Sequence, residues 1–153
     1  TAAAQYLRDA RITPIYEGTN GIQSMDLVAR KMMDGGAAAF ALMDDMAALA
    51  SAASGDLAQA VLAAIAQLRA TTQWLVSQEL NERFAGSVAY QKAFARVLGG
   101  YFHLVASMSG QAKRQRLARV YINSLLPEAA SLCAQAQAGA ADLYALELDD
   151  FAA

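Results

Sequence analysis

Apolar residues recur at intervals of three and four along most of this chain, a spacing that places them on one face of a helix. No segment shows the alternation of apolar and polar residues that is typical of a β-strand. The chain has 153 residues, 56% of them hydrophobic and 17% charged, so it is long enough to bury a core and too apolar to be disordered. The sequence therefore predicts an all-α fold. The clearest stripe is Tyr90, Phe94, Val97, Tyr101, Val105 and Met108.

Glycine and serine residues predict where several helices begin and end. One long helix is expected to open on a capping box formed by Asp56 and Gln59. It is expected to continue to Phe84, before Gly86, and Ser87 is then predicted to cap the next helix. The predicted inward-facing residues before Gly86 are Phe40, Met43, Ala47, Ala50, Leu57, Val61, Ala64, Leu68 and Leu75.

The last long helix is predicted to contain Pro127, which removes a backbone donor and should kink it before it ends at Gly139. Gly99 and Gly100 each weaken a helix by roughly 0.5–1 kcal/mol relative to alanine, so we expect a neighbouring helix to approach them closely. Four helices joined by short loops favour an antiparallel up-and-down bundle. The predicted inward face of the last helix is Leu117, Tyr121, Leu125 and Leu132.

A different kind of pattern precedes the bundle, where Arg8-Asp9-Ala10-Arg11 is followed by residues 16–21, Tyr-Glu-Gly-Thr-Asn-Gly. Pro14 disfavours helix just before it, so Glu17 is expected to lie on a loop. Thr19 or Asn20 is a good N-cap for the helix that follows, and the amides of such a helix start face an anion. A plain alternative is an acidic side chain stabilised by the helix dipole, worth about 0.3–1 kcal/mol. The predicted inward face of this helix is Ile22, Met25, Ala29 and Met32.

This segment resembles the catalytic-glutamate segment of flavin-dependent acyl-CoA dehydrogenases. The resemblance implies that Glu17 removes the α-proton of an acyl-CoA thioester while FAD takes a hydride from the β-carbon. It also implies that Gly18 lets the substrate approach the backbone and that Thr19 and Gly21 contact the flavin. Arg8 and Arg11 are then expected to form ion pairs that fix the loop rather than to contact the substrate.

The resemblance also suggests how the chain is divided. Residues 1–36 are expected to be the last loop and helix of a dehydrogenase core, and Gly35-Gly36 marks the boundary to an accessory helical bundle at residues 37–153. The bundle resembles the extra C-terminal domain of a bacterial branch that includes enzymes similar to methylthiopropanoyl-CoA dehydrogenases. Because the chain begins at Thr1 without methionine, we expect a C-terminal fragment that is inactive by itself. The alternative is a helical packing or oligomerisation module without chemistry of its own.

Charge and the remaining reactive residues restrict the partners. A formal net charge of −2 gives no general attraction to nucleic acid or to a membrane surface, and no membrane span is predicted. The expected partners are an acyl-CoA, an electron acceptor and further copies of the chain. The single cysteine, Cys133, is compatible with a reducing compartment, here expected to be the cytoplasm, and is predicted to be a small core residue.

His103 is predicted to be a partly buried structural residue, because the chain contains no second histidine to share a metal. A di-iron helical bundle would need paired Glu-x-x-His motifs, which are absent from the sequence. The only basic cluster is predicted to be a solvated helix face rather than a contact for a CoA phosphate. Its members are Lys113, Arg114, Arg116 and Arg119.

Overall fold

The computed structural model describes residues 2–12 and 20–151. Within these ranges the ordered elements are helices and no strand occurs, which confirms the all-α prediction. The α-helices are α1 (Ala2–Ala10), α2 (Asn20–Val28), α3 (Ala37–Ala52), α4 (Asp56–Ser77), α5 (Leu80–Ser107), α6 (Ala112–Ser124), α7 (Glu128–Ala136) and α8 (Ala141–Tyr144). Two short 3₁₀ helices cover Arg30–Met32 and Leu148–Phe151.

Helix α5 is the central element of the bundle. It contacts α2, α3, α4, α6 and α7, and neighbouring helices from α3 to α6 pack on each other across short connections. Its buried residues include Tyr90, Val97 and Leu104, which meet Met43 and Leu68 in one continuous core. The predicted helical bundle is therefore confirmed. In the described ranges, no helix combines the length and the apolar character needed to cross a membrane.

The predicted break at Gly86 and the predicted cap at Ser87 are wrong. Both residues are buried inside α5, and the Ser87 hydroxyl donates to the carbonyl of Phe84 at 2.9 Å within that helix. A Cβ added to Gly86 would lie 2.9 Å from the carbonyl carbon of Ala136, closer than real Cβ atoms come. Gly86 is therefore a crossing point of α5 and α7 rather than a helix end.

The actual turn between α4 and α5 lies at residues 78–79 and is closed by Arg83. Its Nε donates to the carbonyl of Gln78 and its Nη2 to the carbonyl of Val76, both at 2.8 Å. A guanidinium at this position satisfies carbonyl groups that the end of α4 leaves without helical partners, and its charge opposes the negative end of the helix.

The predicted capping box at the start of α4 is also wrong. Gly55, with φ of +94°, precedes the helix, and Asp56 is its first residue without capping a backbone N–H. The residue that does cap a helix is Asp34, whose two carboxylate oxygens accept from the backbone N–H groups of Gly36 at 2.9 Å and Ala38 at 3.0 Å at the start of α3. Backbone hydrogen bonds, that from Ala38 first, hold the pKa of Asp34 below its usual value.

Pro127 separates two helices instead of kinking one, because α6 ends at Ser124 and α7 begins directly after the proline. The inward face also differs from the prediction, since Leu117 and Leu125 are exposed. The buried residues are Ala118, Ile122, Leu126, Ala129, Leu132, Cys133 and Ala136. Small alanines on this face bring the helices close together, with Leu126 and Leu132 packed beside them, whereas Leu117 and Leu125 lie outside the contact.

The expected close approach at the glycine pair is confirmed. A Cβ at Gly99 would collide with the hydroxyl end of Tyr121, and one at Gly100 would lie 3.0 Å from Cδ1 of Leu126. Tyr121 lies on α6, and Leu126 lies between α6 and α7. The absence of two side chains on α5 is therefore what lets this part of the chain pack against it.

Candidate active site

The predicted site residues Glu17, Gly18 and Thr19 lie outside the described residues. Gly21 is described and lies in the first turn of α2, where it is exposed. Apart from its two chain neighbours and the nearby backbone of its own helix, no described heavy atom comes within 4 Å of the position that a Cβ on Gly21 would occupy. The described protein atoms therefore give no steric reason for a glycine here, and its backbone is open to an approaching group.

The described part of α2 begins at Asn20, next to the position where the resemblance implies an anion. The helix has 9 residues and carries no acidic side chain in its first turn. The first backbone N–H groups of a helix have no helical partners, and the helix dipole adds partial positive charge at the same end. These features fit the diphosphate of a flavin dinucleotide, the group that the resemblance assigns to Thr19 and Gly21.

The face that α2 turns toward the bundle differs from the prediction. Ser24 and Val28 are buried, and the buried Met32 follows in the 3₁₀ helix, whereas Ile22 is 57% and Met25 is 40% exposed. The prediction assumed one unbroken helix through residue 32, and it considered only apolar residues as candidates for the buried face. The structure ends α2 at Val28 and places a serine in the contact, so only Met32 of the predicted face is fully buried.

A hydrogen bond between side chains joins α2 to α5. Oγ of Ser24 lies 2.6 Å from Oε1 of Gln91 and 2.6 Å from the carbonyl oxygen of Asn20. The hydroxyl has one proton for these two acceptors. A reversed Gln91 amide, which has the same shape, would donate its N–H to Oγ and leave the hydroxyl proton for Asn20.

This contact was missed by the sequence analysis, because Gln91 is 67 residues from Ser24 and neither residue belongs to an apolar stripe. It ties the segment before Gly36 to the bundle, and α2 also packs along α5. Residues on both sides of Gly35-Gly36 therefore share one core, and the division at this point stays a prediction. Independent folding of residues 37–153 stays a prediction.

The arginines of the motif lie on or next to helix α1. Arg8 donates through Nη2 to Oε1 of Gln5 at 2.6 Å, and Gln5 donates to Oδ1 of Asp9 at 2.7 Å. Among residues 2–12 and 20–151, the ion pairs of the structure do not involve Arg8 or Arg11. Their predicted role in fixing the loop therefore stays a prediction.

An open cavity of about 740 Å³ lies at the other end of α2. Its lining includes Met32, Met33 and Arg83, and the Arg83 guanidinium already binds the two carbonyl groups at the end of α4. The cavity adjoins the C-terminal end of α2, whereas Gly21 lies at the N-terminal end of the helix. The cavity therefore lies at the opposite end of α2 from Gly21, the described residue of the predicted site.

The other reactive residues have structural surroundings. His103 is partly buried and stacks on Tyr121 with ring centroids 4.6 Å apart, as expected for a structural histidine. Cys133 is buried in the core, as predicted, and burial raises the pKa of its thiol. The basic side chains from Lys113 to Arg119 are exposed on α6. No three metal-ligating side chains come together anywhere in the part of the chain that the structure describes.

Comparison with known proteins defines the class. The family model described as "Acetyl-CoA dehydrogenase C-terminal like" matches residues 39–147, which is most of the chain and nearly all of the bundle. The chain therefore belongs to this family of acyl-CoA dehydrogenase C-terminal domains, as the resemblance predicted.

A particular relative is the 3-methylmercaptopropionyl-CoA dehydrogenase of Ruegeria pomeroyi. The match is 34% identical over an alignment of 123 residues, and it covers 74% of this chain and 21% of the relative. The chain thus spans about a fifth of the length of the curated relative that it matches. No solved structure matches the chain.

Proposed function

We propose that this chain supplies the catalytic-glutamate segment and the accessory helical bundle of a FAD-dependent acyl-CoA dehydrogenase. The observation that carries the proposal is the family match over residues 39–147, directly behind a segment that has the order of the catalytic-glutamate motif. The relative's name describes a dehydrogenase of an acyl-CoA, which supports an acyl-CoA thioester as the substrate class.

In the proposed reaction, the Glu17 carboxylate removes the α-proton of the thioester. The backbone N–H of Glu17 donates a hydrogen bond to the thioester carbonyl and thereby makes that proton more acidic. Gly18 allows the substrate to come close to the backbone. FAD, when bound, would supply the acceptor for the β-hydride, and the electron acceptor expected as a partner would reoxidise it.

Thr19, Gly21 and the first amides of α2 would hold the cofactor. The open backbone at Gly21 and the first turn without acidic residues support this assignment. The rest of the proposal is that the protein is cytoplasmic and homo-oligomeric, that the division lies after Gly36, and that the isolated chain is inactive. The family match, which begins at residue 39, supports the division.

A second candidate is a packing or oligomerisation module without chemistry of its own. Helix α1 exposes Tyr6 and Leu7, and the bundle exposes Phe102 and Val120, so apolar surface is available for protein contacts. Such a module would need none of the residues from Glu17 to Gly21.

The test that separates the two candidates uses the full-length protein that contains this chain. The dehydrogenase proposal predicts a yellow protein whose flavin absorbance bleaches anaerobically when an acyl-CoA is added. Full-length protein that contains no flavin after reconstitution with FAD, and that shows no bleaching with short-, medium- or branched-chain acyl-CoA, would support the packing module instead.

A further inference from the structure

We propose that Gln91, in the accessory bundle, is a positioning residue for the active site at the start of α2. The inference rests on the proposed function and extends it to a role of the bundle in the reaction. It is carried by the Ser24–Gln91 contact, which joins two regions 67 residues apart through a side-chain hydrogen bond of 2.6 Å.

The contact reaches the end of α2 that matters for the proposed chemistry through Ser24, the fifth of the nine residues of the helix. Ser24 is 0% exposed and also bonds the carbonyl of Asn20, the first residue of the helix. A continuous set of hydrogen bonds therefore links the Gln91 side chain to the backbone at the helix start. Gly21 lies in that turn, and Glu17 precedes Asn20 by three residues in the sequence.

The other end of α2 is held by apolar packing, since Val28 and Met32 belong to the hydrophobic core. Apolar contacts tolerate small rotations and shifts, whereas a hydrogen bond between two defined groups forms in one register only. Ser24 is the one polar side chain among the buried residues of α2. Its bond to Gln91 therefore fixes the rotation of the helix start about the helix axis, while the packing of Val28 and Met32 holds the segment against the bundle.

The experiment measures the rate of acyl-CoA-dependent flavin bleaching in the full-length protein. Gln91→Leu removes the contact and leaves the Ser24 hydroxyl bonded to Asn20, so the bundle should stay folded. We expect the bleaching rate at saturating acyl-CoA to fall about tenfold, since a misplacement of about 1 Å can cost up to a hundredfold. The acyl-CoA concentration for half-maximal rate should stay within about twofold, because substrate contacts are kept.

Ser24→Ala tests the same contact from the other side and changes the protein less. It should slow bleaching by at least a similar factor, because it also removes the bond to Asn20. The double variant Ser24→Ala/Gln91→Leu should be no slower than Ser24→Ala alone, because Ser24→Ala has already lost the contact with Gln91. Independent, multiplying effects of the two substitutions would contradict the proposal. Ser24→Ala also keeps the test decisive if Gln91→Leu does not fold.

Gln137→Leu is the matched control. Gln137 donates to Oγ1 of Thr71 at 2.6 Å, so it also joins a glutamine to a buried hydroxyl across 66 residues, but this bond links the end of α7 to α4 and not to α2. It should leave the bleaching rate unchanged. If Gln137→Leu slows bleaching as much as Gln91→Leu, the effect is a general loss of stability and the proposal is wrong.

A second readout uses the 153-residue chain itself. Gln91→Leu should accelerate amide hydrogen exchange at residues 21–25, whereas Gln137→Leu should not. Unchanged exchange in Gln91→Leu, or wild-type bleaching in this variant while Glu17→Gln is slow, would overturn the inference and leave the proposed function in place. Wild-type bleaching in Glu17→Gln would instead overturn the proposed function.

Discussion

The backbone carbonyl of Ala136 occupies the space that a side chain on Gly86 would need. The contact lies where α7 crosses the first half of α5, so both helices would have to move to admit a methyl group. Backbone atoms cannot rotate away as a flexible side chain can. The α5–α7 crossing therefore depends on the glycine.

Gly86→Ala should destabilise the 153-residue chain despite the better helix propensity of alanine. Overpacking of a tight contact costs about 1–3 kcal/mol, which exceeds the gain in propensity of roughly 0.5–1 kcal/mol. Urea unfolding followed by circular dichroism measures the difference. A variant as stable as the wild type would show that the crossing relaxes without cost.

Gly21→Ala should weaken cofactor binding without destabilising the chain. Since the added methyl group meets no described neighbour, the free energy of unfolding of the 153-residue chain should not fall, and it should rise by at most the propensity gain of roughly 0.5–1 kcal/mol. In the full-length protein the methyl group would stand between the helix start and the flavin, so FAD should dissociate more readily. Flavin fluorescence on dilution measures this, and wild-type retention of FAD would remove Gly21 from the cofactor site.

A comparison of Gly86 with Gly55 shows what the sequence could and could not predict. Gly86 and Gly55 look alike as local signals, yet Gly55 has a positive φ and lies before a helix, whereas Gly86 is buried inside one. The difference is the Ala136 backbone, 50 residues further along the chain. The all-α fold class and most of the apolar stripes in the core were predictable because they follow from residue spacing. The exact helix ends were not predictable, because they depend on such contacts between distant residues.

The candidate site also has one part that was predictable from the sequence and one part that was not. The motif around Glu17 was recognisable because it is contiguous in the sequence. The Ser24–Gln91 contact was not, because a serine on an inward face gives no apolar signal and its partner lies on another helix. Leu117 and Leu125 were assigned to the core because large residues dominate a stripe, but alanines occupy the close contacts there.

A chain that begins at Ala37 should still fold, with lower stability. Deleting residues 1–36 removes Val28 and Met32 from the core, and burying such a side chain contributes about 1.5–3 kcal/mol. We expect a cooperative thermal transition at a lower Tm than that of the 153-residue chain. A non-cooperative loss of helical signal would show that the bundle needs α2, and the proposed boundary after Gly36 would not separate folding units.

The cap that Asp34 provides should make stability depend on pH. The pKa of Asp34 is lower in the folded state than its ordinary value of 3.8 in the unfolded state. Its contribution to the free energy of unfolding is therefore fully present above pH 3.8 and is lost as the pH falls through the folded-state pKa. Asp34→Ala should therefore be less stable than wild type at pH 7, and the difference should shrink as the pH is lowered below about 3.8. Urea unfolding of both proteins across this range checks it. A difference that grows on acidification would have the wrong sign.

The central claim is that Glu17 is the catalytic base, and rapid-mixing spectroscopy of the full-length Glu17→Gln protein tests it most directly. Glutamine keeps the size of the side chain and cannot accept the α-proton. Acyl-CoA-dependent bleaching of the flavin absorbance should slow by at least about a hundredfold, at the low end of general-base contributions, while FAD stays bound in wild-type amount. Bleaching near the wild-type rate would contradict the account and leave Glu17 as an acidic residue before a helix.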